Sequence, residues 1–441
     1  MGMVGPDEPR YAAISRAMTD SGDWITPRLW GQPWFEKPAL LYWMMAAAFR
    51  VGLGPDLAPR LPVALLGLAF LVFFWWRLRI EWDARVASYA TAMLATTAGW
   101  LTYSHVAVTD LPLAAFFSAS VLMAMPWAAH EKRREGLTAA AACLGLAALA
   151  KGLVPLILFL PVLAFGWRRL GDWFRPGPIL ALAILAGPWY VLCTIRNGNE
   201  FLSVFFVQQH FQRFTSEGLQ HVQPVWFYVP VFLLLLYPWF PVLAIPWGGL
   251  SVWLRDRRAL VLGATVIFGF VFFSISINKL PGYLLPLLPL ACVLIAFKLA
   301  RTPHPETAVV APITLLGALP VIGMVAAEAL AFGLRNAQIQ WSAGAILLAI
   351  AGGAGVLVAI AMRGRAVETA GVLVGLGLLW FQFAFFPLFD VAASARPLWI
   401  RDRPQCASNL PRGLLYGLNY YAQRRLPECS VGAGVEPGTG R

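Results

Sequence analysis

Charged residues are scarce in this sequence, making up 13% of its 441 positions where an ordinary soluble domain carries roughly 25%. That scarcity excludes a soluble globular enzyme. Cysteine and histidine are scarce too, with five of each, and no cysteine pair has the spacing of a zinc site. Cys143, Cys193 and Cys292 fall in apolar segments and read as small core residues. Cys406 and Cys429 lie in a polar tail, where a pairing is open to them if that tail faces an oxidising compartment. Acids are outnumbered 22 to 34 by Lys and Arg, a net charge of +12. In a greasy chain such an excess belongs to cytoplasmic loops rather than to nucleic-acid binding.

Apolar residues are abundant, at 59% of the chain, and many runs approach the roughly 18 residues that a membrane span needs. Breaks between them predict twelve spans, over 58–77, 84–103, 110–128, 137–150, 152–167, 176–195, 226–248, 258–276, 281–300, 308–333, 341–362 and 367–389. The run 38–54 ends in Arg50 and a Gly-Pro break, and reads as a helix lying at the interface. One alternating set of loops then holds sixteen basic residues: Arg77, Arg79, Arg85, Lys132, Arg133, Arg134, Arg168, Arg169, Arg175, Arg255, Arg257, Arg258, Lys298, Arg301, Arg363 and Arg365. The other set holds Arg196, Arg213, Lys279 and Arg335. By the positive-inside rule the richer set is cytoplasmic. Residues 1–57 then form an outer first loop, 58–389 the transmembrane domain, and 390–441 a short outer tail that ends flexibly. An outer N-terminus implies either one further span before residue 1, the favoured reading, or an unusual mode of insertion. No internal repeat is visible.

This topology gathers the reactive side chains on one face. Asp7, Glu8, Arg10 and Tyr11 open the chain, and Glu36 and Lys37 precede the interfacial helix. Asp110 starts a span, and Lys151 sits between two short ones. His210, Arg213 and His221 share one outer loop, and Lys279 and Tyr283 stand in another stretch, "NKLPGYLLP". Asp7 is placed to cap a helix with Pro9 in its first turn. Tyr11, Ile14 and Met18 would share one face of that helix, with Arg10 and Arg16 pointing elsewhere. Each residue has an ordinary alternative. Asp7 and Asp110 read as helix caps, Glu36–Lys37 as a surface pair of little worth, and His210, Arg213 and Lys279 as interfacial anchors. Lys151 is harder to dismiss, because charge at membrane depth is costly and usually paired.

Two carboxylates on separate loops suit a general base or a divalent cation. Glu beside His favours Zn²⁺ or Mn²⁺ over Mg²⁺. Arg and Lys at the rim suit a phosphate, and Trp24, Trp30, Trp34 and Tyr42 suit a sugar or the interface. Together these parts fit sugar transfer from a polyprenyl phosphate.

The stretch "PDEPRYAAISRAMTDSGDWITPRLWGQPWFEKPALLYW" resembles the first outer loop of the bacterial aminoarabinose–lipid A transferase family, in the glycosyltransferase C superfamily that also holds protein O-mannosyltransferases. The likeness continues through "TDLPL", "LAKGLVP", "QQHFQRF", "WFYVP" and "FSISINKLPGYLLPLLP", in order, over most of residues 6–300. It implies an all-α polytopic glycosyltransferase C fold with thirteen spans, twelve present here, and interfacial helices at the periplasmic face of the inner membrane. It implies an undecaprenyl-phosphate sugar donor, inversion at the anomeric carbon, and a periplasmic lipid, glycan or protein acceptor, lipid A among them. Asp7 and Asp110 fall on the family's catalytic acids. Glu36, with His210 or His221, falls on its metal ligands. Glu8, Arg10, Tyr11, Lys37, Lys151, Arg213, Lys279 and Tyr283 are candidates to hold substrate. A monomer is expected. Two departures stand out: Trp34-Phe35-Glu36-Lys37-Pro38-Ala39 replaces the family's Tyr-Phe-Glu-Lys-Pro-Pro, and only about fifty residues follow the last span, so sugar and acceptor stay open. The rival reading is a sugar-lipid transporter or flippase, which would place its charges near mid-membrane.

Overall fold

The computed structural model describes residues 1–129, 134–212, 222–244, 255–302, 306–319, 322–324, 326 and 366–429. The described residues are mainly helical, with one hairpin of two-residue strands, β1 (Arg28–Leu29) and β2 (Gln32–Pro33), whose register pairs Arg28 with Pro33 and Leu29 with Gln32. Its tip, Trp30-Gly31, takes positive φ at both positions, as a tight hairpin turn demands.

Six described helices are long and apolar enough to cross a membrane, and three shorter apolar ones accompany them. The protein is a multi-pass membrane protein. Their outward residues are greasy: Leu68 and Val72 on one helix, Ile184 and Ile195 on another, stand exposed, as a bilayer-facing surface requires. Large rings fill the interior, including Trp100, Trp127, Phe74 and Phe117.

The N-terminal segment builds α1 (Asp7–Ser21) and α2 (Leu40–Arg50). With eleven residues, α2 is about 16 Å long at 1.5 Å per residue, too short to span, as expected of an interfacial helix. The spans begin with α3 (Leu57–Glu81). Several predicted spans are broken where the sequence holds a helix stop. The predicted 84–103 divides into α4 (Ala84–Ala95) and α5 (Ala98–Ser104), with the Thr97 hydroxyl accepting from Trp100 N–H as a new cap. The hairpin α6 (Asp110–Ala128) and α7 (Leu137–Lys151) matches expectation closely. The predicted 152–167 divides into α8 (Val154–Leu158) and α9 (Leu160–Phe165), each with Pro in its first turn. Next come α10 (Pro176–Leu202), non-helical at Gly198, then α11 (Tyr228–Leu235), α12 (Arg257–Ile275) and α13 (Leu288–Leu299). A tighter turn over Pro281–Leu287 precedes α13, again at prolines. Last come α14 (Glu306–Leu316) and α15 (Ala366–Ala393). The predicted span 341–362 and the end of 308–333, from 327 on, lie outside the described residues.

The tail is more ordered than its polar composition suggested. It forms α16 (Arg396–Asp402) and α17 (Arg412–Ala422), and Cys406 and Cys429 are disulfide-bonded. The helix α17 packs on α1 and joins the last described segment to the first.

Basic residues expected in cytoplasmic loops gather at the ends of α3, α4 and α12. There Arg77 pairs with Glu81 at 2.8 Å, and Arg258 lies 3.7 Å from the same carboxylate. The candidate site occupies the opposite ends of these helices.

Candidate active site

Asp7 is the first residue of α1, but it does not cap it. Pro6 holds the cap position, with no side-chain cap bond. The Asp7 carboxylate instead accepts from the Arg10 guanidinium one turn on, which replaces the expected capping role. Arg10 is 6% exposed. It lies on the buried side of α1, contrary to the expectation that it points away from the Tyr11 face. Its Nε donates to Pro6 O at 3.0 Å, and Nη1 sits 3.5 Å from Glu36 Oε2. Rings of Trp34 and Tyr416 stand 5.5 Å and 5.3 Å from its guanidinium carbon. Burial alone would lower the Arg10 pKa, but Glu36 and then Asp7 outweigh it and hold the group charged. Glu36 is therefore no idle surface acid, since it shares a buried cation with Asp7. Lys37 beside it is half-buried.

Glu8 is fully buried and serves as an anchor. Arg60 of α3 donates to it through Nε and Nη2, each at 2.7 Å. Backbone N–H groups of Val4 and Ala107 donate at 2.7 Å and 2.9 Å. Four donors occupy the carboxylate, so Glu8 holds α1 against the 105–109 loop rather than facing substrate. Tyr11 belongs to the core, its ring edge-on to Tyr42 with centroids 5.8 Å apart. Burial pushes the Tyr11 phenol well above its usual pKa, so it stays protonated.

The bond from Ala107 to Glu8 brings the first cluster to the second. Asp110 begins α6 after Thr109, which makes no side-chain cap bond. Its carboxylate lies 2.6 Å from Lys151 Nζ at the end of α7. The ammonium also sits 4.7 Å from the centre of the Tyr283 ring. Gly282 presses on this pair so closely that a Cβ there would lie 2.5 Å from Asp110 Oδ1 and 2.7 Å from the Tyr103 hydroxyl. A glycine is thus required beside the ion pair. Three residues earlier, Lys279 is buried. It donates to Gln223 O at 2.9 Å and to Ser276 O. Among the described residues no carboxylate lies within ion-pair distance of Lys279, and burial lowers its pKa.

His221 and Arg213 lie outside the described residues, as does the side chain of His210. Among the described residues no three His, Cys, Asp or Glu side chains converge on a metal position. Glu36 and Asp7 share the Arg10 guanidinium, which offsets their charge without a metal ion. The described donors alone therefore do not fit a divalent ion.

Arg60 and Tyr416 escaped sequence reasoning. A signal for Arg60 existed, because a cation four residues into a span calls for a partner. Nothing in the sequence pointed from Tyr416 to Arg10, 406 positions away.

This arrangement has known relatives. The family described as dolichyl-phosphate-mannose-protein mannosyltransferase matches residues 2–195. The undecaprenyl phosphate-alpha-4-amino-4-deoxy-L-arabinose arabinosyl transferase of Aeromonas hydrophila is 34% identical over 316 residues, which cover 66% of this chain and 55% of that protein. A transferase of the same description from Pseudomonas fluorescens is 34% identical over 312 residues, covering 66% and 51%. The crystal structure of ArnT from Cupriavidus metallidurans bound to undecaprenyl phosphate superposes with a TM-score of 0.77 at 27% identity, covering 98% of this chain and 82% of that one. In sequence and in fold the chain is similar to the aminoarabinose transferases. It spans about half the length of the sequence relatives it matches. The part of the family fold that carries "DEPRY" and "FEKP" lies within the matched residues 2–195.

Proposed function

We propose that the protein transfers a sugar from undecaprenyl phosphate to a lipid acceptor such as lipid A, at the periplasmic face of the inner membrane and with inversion. Aminoarabinose is the sugar the relatives' names favour. The observation that carries this reading is the Ala107–Glu8 bond, which joins the Asp7–Arg10–Glu36 group to the Asp110–Lys151–Tyr283 group on one rim. Acids at one end and ammonium groups at the other suit a donor whose sugar gains positive charge as its phosphate leaves. The paired Cys406 and Cys429 suit an oxidising compartment.

In this reading Lys151 and Lys279 hold the donor phosphate, with Lys37 and Arg213 as further cations. The acceptor oxygen attacks the anomeric carbon opposite the phosphate. The carbon–phosphate-oxygen bond breaks, and its electron pair leaves on undecaprenyl phosphate. If the acceptor is a hydroxyl, Asp7 takes its proton. If it is a phosphate, no proton moves, and Asp7 stabilises the developing charge on the sugar. Arg10 fixes the Asp7 carboxylate, and Asp110 fixes Lys151. A divalent metal would need His210 or His221 beside Glu36, and no step here depends on one.

The test is transfer in proteoliposomes carrying undecaprenyl-phosphate aminoarabinose and lipid A. Product should form, and Lys151→Met should weaken donor use. Movement of the sugar lipid across the bilayer with no product would instead favour a transporter, although charges at one rim rather than mid-membrane speak against it.

A further inference from the structure

Arg10 is touched by a ring from the far end of the chain. Tyr416 stands 5.3 Å from its guanidinium carbon, on α17. That helix lies wholly inside the loop that Cys406 and Cys429 close, 23 residues apart in sequence. The loop also ties itself together through Ala407 N–H to Pro427 O at 2.9 Å and Leu426 N–H to Asn419 Oδ1 at 2.9 Å. It is docked on residues 3–5 and on the turn at Pro55 and Asp56. The Tyr420 hydroxyl donates to Pro55 O at 2.6 Å and the Tyr421 hydroxyl to Asp56 Oδ1 at 2.7 Å. Met3 N–H donates to the Tyr421 hydroxyl at 3.2 Å. Gly413 approaches Gly5 so closely that a Cβ would lie 3.3 Å from its backbone.

We propose that Tyr416 is a positioning residue of the transferase site, acting through Arg10 on the Asp7 and Glu36 carboxylates, and that the Cys406–Cys429 bond holds it in place. An aromatic face attracts a guanidinium and excludes water from it. Arg10 needs such help, since it must bridge two acids at once from a largely buried position. Closing the 23-residue loop restricts the freedom of α17 when it undocks. A tail remote in sequence thereby sets the geometry at residue 7. The kinetic consequence rests on the transferase reading, whereas the consequence for Arg10 itself does not.

Two measurements on the full chain test this. The first is phenylglyoxal labelling of the Arg10 peptide, read by mass spectrometry. Arg10 should be protected in the wild type and in Tyr416→Phe, and should become labelled in Tyr416→Ala or after reduction of the disulfide with a phosphine. The second is transfer kinetics. Tyr416→Ala should lower kcat on the order of tenfold to a hundredfold, as a small misplacement of a reacting group does, with donor KM nearly unchanged. Tyr416→Phe should restore it, and reduction should add no further loss to Tyr416→Ala. Unchanged protection of Arg10 in Tyr416→Ala, or losses from reduction and substitution that multiply, would overturn the proposal. A wild type that transfers nothing would instead sink the transferase reading, and the labelling would still judge the role of Tyr416.

Discussion

Replacing Glu8 by Gln and, separately, Asp7 by Asn removes one negative charge from each of two adjacent residues. The outcomes should be opposite in kind. Glu8 is fully buried and accepts two N–H bonds from Arg60 and two from backbone amides. Gln keeps one acceptor oxygen and turns an NH₂ group toward donors that need one. Removing one partner of a buried ion pair costs about 3–5 kcal/mol, since the other charge stays behind. An amide left buried without an acceptor adds about 1–3 kcal/mol. These costs overlap, because they arise at one carboxylate. A loss of about 4 kcal/mol is expected, a large share of the 5–15 kcal/mol typical of a folded domain. Asp7 is 41% exposed and makes its ion pair with Arg10 at the surface of the site. Solvent screening reduces such a pair to about 1 kcal/mol or less. Its loss should instead fall on catalysis, by about 10²–10⁴-fold for a missing general base. The assay is denaturant unfolding in one detergent, beside transfer rates per folded molecule in liposomes. The reasoning fails if Glu8→Gln unfolds with the wild type, or if folded Asp7→Asn transfers at the wild-type rate.

Gly282→Ala should push Asp110 and Tyr103 apart, since its Cβ would lie 2.5 Å from one and 2.7 Å from the other. A cost of about 1–3 kcal/mol is expected from overpacking, together with a raised donor KM, and a wild-type KM with wild-type stability would refute the contact. Burial lowers the Lys279 pKa below its ordinary 10.5, so this residue's destabilising contribution is fully present below the lowered value and disappears as pH rises toward 10.5. Only the ammonium holds phosphate, so affinity for undecaprenyl phosphate should fall as pH rises through that lowered value, and a Lys279→Gln protein that keeps the same profile would exclude Lys279 as its source. If Glu36 holds a metal with His210 or His221, a chelator should abolish transfer, Zn²⁺ or Mn²⁺ should restore it, and Glu36→Gln should lower the bound metal measured by elemental analysis. Full activity and no bound metal in chelated wild type would remove the metal from the reaction.

What the sequence disclosed depended on how far apart the partners lie. The hairpin of α6 and α7 and the short interfacial α2 follow from apolar run length and from Arg50 and the Gly-Pro break. Of the residues that the loop charges predict on one face, Asp7, Asp110 and Lys151 stand in one neighbourhood, through the bond from Ala107 to Glu8 and the Asp110–Lys151 pair. Asp7 and Asp110 looked alike as helix starts, and local spacing alone favoured capping for Asp7 and left it open for Asp110. The structure gives each a cation instead, Arg10 and Lys151, because a cation buried nearby attracts a carboxylate more strongly than a helix terminus open to water. Glu8 looked like a ligand for substrate because its partner Arg60 is 52 residues away. The polar composition of the tail gave no sign of its two helices, which are held by a disulfide and by tyrosine hydroxyls that find acceptors on residues 55 and 56, while its end, 430–441, lies outside the described residues. Pairings of this kind belong to tertiary packing, which no local pattern records.

Burial sorts the charged residues of this rim by task. Glu8 and Arg60 form a closed set, with Arg60 also donating to Met1 O and Gly2 O. They fix the start of α1 and have no capacity left for a ligand. Arg10 is one step nearer the chemistry, buried itself but bound to two acids that are partly open to solvent. Asp7 is the most exposed of this group. A carboxylate meant to act on a sugar gains from being oriented before the reaction, so that no reorganisation is needed at the transition state. It loses if it is desolvated and neutralised, as a fully buried acid tends to be. Holding it through a buried arginine meets both demands, because the group that orients it is buried while the carboxylate itself stays partly open to solvent. The energetic cost of that orientation then falls on Glu8, Arg60, Arg10 and the rings around Arg10. Substitutions should accordingly separate residue by residue, with stability lost at Glu8 and activity lost at Asp7, although the two are neighbours in the chain.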